Sequence, residues 1–163
     1  MNPDVAGVLF LITAMAAMMM LELVSGAVGL VLPLTAAAQS YTLEAVAAHL
    51  GTDRISLQYA CTIAQPAPVK LSGALLIQGD CYQAKGNGME IYCDGTTRWT
   101  VDPESREVYI ETAEGLEELA LWQDNLEELS LSQVRYLPLS DDLSPFSFDT
   151  ASLDASWVVT DLR

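Results

Sequence analysis

The sequence predicts an α+β domain in which an antiparallel β-sheet curls round short helices into a half-barrel. Three observations predict it. The run from Leu75 to Pro103 reads as three consecutive strands joined by tight turns, Gly86-Asn87-Gly88 and Asp94-Gly95, whose residues tolerate the positive φ that hairpins demand. The residues between those turns are rich in Tyr, Ile, Val, Thr and Trp, which fit a pleated surface. Only two segments outside the strands carry helical patterning, so a large sheet has little helix with which to cover its apolar face.

The first 38 residues stand apart. Val5 to Ala38 is almost entirely apolar, interrupted by Glu22 and Ser25, and ends in small residues before Gln39-Ser40. The segment reads as a secretory signal cleaved between Ala38 and Gln39, or as an uncleaved membrane anchor, since ~20 apolar residues span a bilayer. No basic residue precedes it, it exceeds the usual signal core of ~7–15 residues, and Glu22 in mid-span would be costly within a membrane. A core helix is the third reading. Residues 39–163 form one domain and hold all seven basic and 20 of the 22 acidic side chains, a net charge of about −13. That balance argues against nucleic acid and against anionic headgroups, both of which need a positive footprint.

Within 39–163 the elements follow in order. Tyr41 to Gly51 reads as a short helix: Thr42 caps it, Leu43, Val46, Ala47 and Leu50 form its apolar stripe, and Gly51 stops it. Ile55, Leu57, Tyr59, Cys61 and Ile63 alternate with smaller and polar residues, the period of a strand with one apolar face. Pro66 and Pro68 end it. Val69 to Asp80 is the next strand, continued by Cys81 to Lys85 after a kink at Gly79. Met89–Cys93, Thr96–Val101 and Arg106–Glu111 complete the meander, with a type I turn at Asp102-Pro103-Glu104-Ser105. Glu114 to Asn125 reads as an acidic helix or helical turn. Leu129 to Leu139 is a strand whose apolar residues change parity between Leu131 and Val134, the mark of a bulge. Phe146-Ser147-Phe148 and Trp157–Leu162 read as closing strands.

Catalysis finds little support. The single histidine, His49, lies one step outside the helix stripe. There is no nucleophile elbow, phosphate loop or dinucleotide fingerprint, and no His/Cys spacing suited to a metal. No cofactor is implied. Two readings of the cysteines stay open. With a three-residue loop at Gly86-Asn87-Gly88, Cys81 and Cys93 fall opposite each other and form a disulfide candidate, leaving Cys61 over. With a two-residue loop the register shifts by one and the opposition is lost. Trp99, Trp122, Trp157, Tyr82, Tyr92 and Tyr109 are candidates for lining an apolar groove, or for ordinary packing.

Leu71-Ser72-Gly73-Ala74-Leu75, Asp80-Cys81-Tyr82, Glu90-Ile91-Tyr92-Cys93-Asp94-Gly95 with Trp99-Thr100-Val101-Asp102, and Glu107-Val108-Tyr109-Ile110-Glu111 resemble outer-membrane lipoprotein carrier proteins of the LolA type. Ser144-Pro145-Phe146-Ser147-Phe148-Asp149 and Trp157 to Arg163 look like the close of a short, divergent branch, so the likeness runs from about Tyr41 to Arg163. It implies a strongly curved antiparallel β-sheet, an incomplete β-barrel, with short helices over the concave face. It implies a monomeric, non-enzymatic periplasmic carrier that holds lipoprotein or lipid acyl chains and meets inner- and outer-membrane lipoprotein-sorting proteins. The family's basic-aromatic strand motif has no counterpart in Val69 to Leu75, and no lid residue is assigned. The expected groove walls are Leu43, Val46 and Leu50 on the helix and Trp99, Val108 and Ile110 on the meander. The alternative is an exported protein-interaction module of the same fold.

Overall fold

The computed structural model describes residues 41–63, 68–113 and 126–163. Among the described residues eight strands form one sheet: β1 (Arg54–Ile63), β2 (Val69–Gln78), β3 (Cys81–Gly86), β4 (Met89–Cys93), β5 (Thr97–Asp102), β6 (Glu107–Thr112), β7 (Leu126–Leu137) and β8 (Val158–Asp161). Their order is β7-β1-β2-β3-β4-β5-β6-β8. All neighbours are antiparallel except β6 and β8, which are parallel. The sheet is mixed and does not close, with β7 and β8 as its edges.

The predicted α+β architecture is therefore corrected to a mainly β one. Among the described residues there is one α-helix, α1 (Leu43–Ala47), and it has five residues. Thr42 caps it as expected, its hydroxyl accepting from the Ala45 amide. The physical reason for the correction lies in the sheet, which is apolar on both faces but in different halves. One face carries Ile55, Leu57, Tyr59, Cys61, Ile63, Leu71, Leu75, Ile77, Ala84 and Ile91 over β1–β4, and α1 packs there through Val46 and Leu43, with Leu50 from the turn that follows. The other face is apolar over β4–β6, where Tyr92, Val101, Val108 and Ile110 are buried. A length of chain covers that second face in place of helices.

That covering chain is the strap from residue 138 to residue 157, which joins one edge strand to the other. Arg54 and Gln78 hold its start: Arg54 Nη2 donates to the Asp142 carbonyl at 2.6 Å and Gln78 Nε2 to the Ser140 carbonyl at 2.8 Å. Gln83 Nε2 donates to the Pro145 carbonyl at 2.9 Å. Phe148 lies on Tyr92, with ring centroids 5.3 Å apart, and Leu153 and Trp157 pack on the second cluster. The Val158 amide then bonds the Arg106 carbonyl at 2.9 Å and β8 begins. A parallel neighbour requires such a crossover. Phe146-Ser147-Phe148 is consequently no strand: Ser144–Phe146 is a 3-10 turn that points Phe146 into the interior.

Two turns differ from expectation. Gln78 pairs with Cys81, so Gly79-Asp80 is a two-residue hairpin with positive φ at Gly79, and the continuous strand through Lys85 is two strands. Gly86 pairs with Met89, so the next loop is Asn87-Gly88, both at positive φ as a type I′ turn requires. The bulge foreseen in β7 is present opposite Leu57, with Gln133 at φ 51°. A second, opposite Cys61, places Glu128 at φ 52°. Bulges interrupt an edge and discourage further pairing. The expected segments at 1–38 and 114–125 lie outside the described residues.

Candidate ligand-binding surface

The register lines up side chains across the first face. One row runs Tyr136, Ile55, Ile77, Tyr82, Cys93, Arg98, Glu111 from β7 to β6. The next runs Leu57, Leu75, Ala84, Ile91, Thr100, Tyr109. Both are apolar through β4 and polar on β5 and β6. At strand spacings of about 4.8 Å the span from Ile55 to Arg98 is roughly 19 Å.

Leu43, Val46 and Leu50 come together on this surface. Trp99, Val108 and Ile110 do not join them. On β5 the residues facing the first side are Arg98, Thr100 and Asp102, so Trp99 and Val101 face the other side and pack with Val108 and Ile110 beneath the strap. A one-residue change of parity moves a strand's whole apolar set to the opposite face. The expected single wall is thus corrected to two separate cores. Tyr82 and Tyr109 share the first face, and Tyr92 and Trp157 the second. Trp122 lies outside the described residues.

The residues that sequence reasoning missed sit where the first face changes character. Arg98 has a 14% exposed side chain, and its Nη2 donates to Glu111 Oε2 at 2.8 Å. Its Nε donates to the same oxygen at 3.3 Å, and Tyr82 also bonds it. Burial opposes the guanidinium charge, but Glu111 and Tyr82 hold its pKa above the ordinary arginine value. The signal available in the sequence was the alternation of Arg98, Thr100 and Asp102 with Trp99 and Val101.

The three cysteines are free and buried. The two-residue loop pairs Cys93 with Tyr82, which leaves Cys81 on the opposite face and removes the Cys81–Cys93 disulfide candidate. Burial pushes the Cys61 thiol up to about 11 and raises Cys81 and Cys93 as well. A thiol so shifted carries little thiolate at neutral pH. Folded protein is expected to label slowly at pH 8, and unfolding without reductant to release three reactive thiols; one thiol would restore the bridge.

Elsewhere, His49 Nδ1 lies 2.8 Å from Asp53 Oδ2, and its ring stacks on Tyr136 at 3.8 Å. This ties the end of the α1 segment to β7. An open groove of about 490 Å³ lies between the tip of β3–β4 and the β5–β6 loop, lined by Lys85, Met89, Glu90, Pro103 and Glu104. The cross-strand Lys85–Glu90 ion pair, at 3.1 Å, forms part of its lining. Among the described residues no group of three or more His, Cys, Asp or Glu is arranged to hold a metal.

Compared with known protein families and with curated proteins, the chain matches none. The first face carries a broad, buried apolar cluster that ends at a charged pair, and the groove is shallow, with Lys85, Glu90 and Glu104 set among apolar lining.

Proposed function

We propose that this protein is an exported, periplasmic carrier that holds acyl chains on the first face of its sheet. One observation carries the reading. A continuous, buried apolar cluster reaches from Leu131 on β7 to Cys93 on β4, and the α-helix that packs on it among the described residues has five residues. An acyl chain is matched by a surface that is apolar along its length and polar at one end. The likeness to LolA-type lipoprotein carriers and the apolar N-terminal segment support it, and lipoprotein acyl chains are the proposed cargo.

A second reading is an interaction module. β8 is an edge strand of the sheet, where a partner strand could add, and Val158 and Val159 on it and Leu162 just after it are exposed.

Native mass spectrometry of protein recovered from the periplasm, with titration of a fluorescent acyl probe, separates the two. The carrier reading expects co-purified lipid and saturable probe binding. Leu43→Glu and Leu50→Glu alter half-buried positions, so the fold is expected to survive while probe affinity falls at least tenfold, about 1.4 kcal/mol. A lipid-free protein that binds no probe overturns the reading.

A further inference from the structure

All seven basic residues of the chain fall within the described segments, and the strand register places one of them, Arg98, on the first face. Arg54, Lys70, Lys85 and Arg135 alternate onto the second face; Arg106 lies in the β5–β6 loop and Arg163 follows β8. Arg98 stands at the polar end of the buried apolar run Ile55, Ile77, Tyr82, Cys93. Its charge is already balanced by Glu111 at 2.8 Å. Asp102, Glu107 and Tyr109 share the same face, and the chain as a whole has a formal net charge of −15.

Resting on the acyl-binding reading, we infer that the Arg98–Glu111 pair sets head-group specificity, accepting acyl chains that end in a neutral carbonyl, an ester or an amide, and rejecting free fatty acids. A guanidinium has five donors, so it can serve Glu111 and Tyr82 and still meet a carbonyl. A carbonyl oxygen takes an N–H without adding charge. A free carboxylate adds a second negative charge beside Glu111, which already holds the guanidinium at 2.8 Å. Rejection therefore comes from the acidic partner and recognition from the basic one.

The test is displacement of a fluorescent acyl probe at pH 8 by a dodecanoyl glycerol ester and by dodecanoate, in the parent protein and in Glu111→Gln. The parent is expected to favour the ester. Glu111→Gln, nearly isosteric, leaves the Arg98 charge unbalanced and should move the ester-to-acid ratio at least tenfold toward the acid. Adding Arg98→Met to that variant should abolish the gain. An unchanged ratio in Glu111→Gln, with both ligands still displacing the probe, overturns the specificity role and leaves the carrier reading standing. Failure of the parent to bind the probe at all overturns the carrier reading itself.

Discussion

Phe146→Ala is expected to destabilise the protein by about 3–5 kcal/mol, the range for truncating a buried phenylalanine. The side chain is 0% exposed although it belongs to a three-residue turn in the strap. Its ring lies beneath Arg54, 5.3 Å from centroid to Cζ, and the turn packs on β3 and β4. Arg54 in turn donates to Gln78 Oε1 at 2.7 Å and to the Asp142 carbonyl, so one ring fastens the strap to β1 and β2 as well. Folded domains are stable by only about 5–15 kcal/mol, so the loss is a large share of the total. Phe148→Ala is the comparison. That ring is half-buried against Tyr92, and its removal should be felt much less. Urea unfolding of both variants is the measurement, and a loss below about 1 kcal/mol for Phe146→Ala would show that the strap is not coupled to the sheet.

Gly73→Ala has the second large effect, expected at about 3 kcal/mol, the upper end of overpacking costs. Gly73 pairs with Tyr59 on one side and Gly86 on the other. An added methyl group would meet the Lys85 carbonyl oxygen, and would sit 2.8 Å from the Tyr59 hydroxyl and 3.0 Å from its ring. The ring could turn aside, but the carbonyl belongs to the β2–β3 ladder and can move only if the ladder does. Gly86 is confined in the same way by the Ser72 carbonyl. Thermal unfolding followed by circular dichroism reads the effect. A variant as stable as the parent would mean that the β2–β3 ladder yields readily at the Lys85 carbonyl.

Much of the meander was legible from the residues. The alternation from Ile55 to Ile63 became β1, and Asp94-Gly95 made its turn, with the Asp94 carboxylate accepting from the Thr96 and Thr97 amides at 2.9 and 2.8 Å. Gly79-Asp80 was harder, because a type II′ turn needs only one glycine and both flanks read as strand. The path of the last quarter of the chain was not legible. Phe146 and Phe148 alternate like strand residues, and only the distant surface of β3 and β4 decides that Phe146 points inward. The binding surface was half legible for a related reason. Local pattern showed that β5 has an apolar side, but not that the sheet uses opposite faces in its two halves. Trp99 was therefore assigned to the wrong face and Arg98 passed over.

The strand order also has a consequence for how the chain reaches this state. Strands β1 to β5 each pair with their immediate successor through a short loop, so each hairpin can form soon after its residues meet. The two edges are different. Ser130 on β7 bonds Ala60 on β1 across 70 residues, and β8 reaches β6 only after the strap has crossed the sheet. Closing long loops is entropically slow, so the meander is expected to assemble first and the outer strands to dock last. In that interval the open side of β1 and the Trp99–Val108–Ile110 surface are uncovered together. The hazard in folding this protein is thus a late, sticky intermediate, and concentration, more than temperature, is the variable that should govern its yield on refolding.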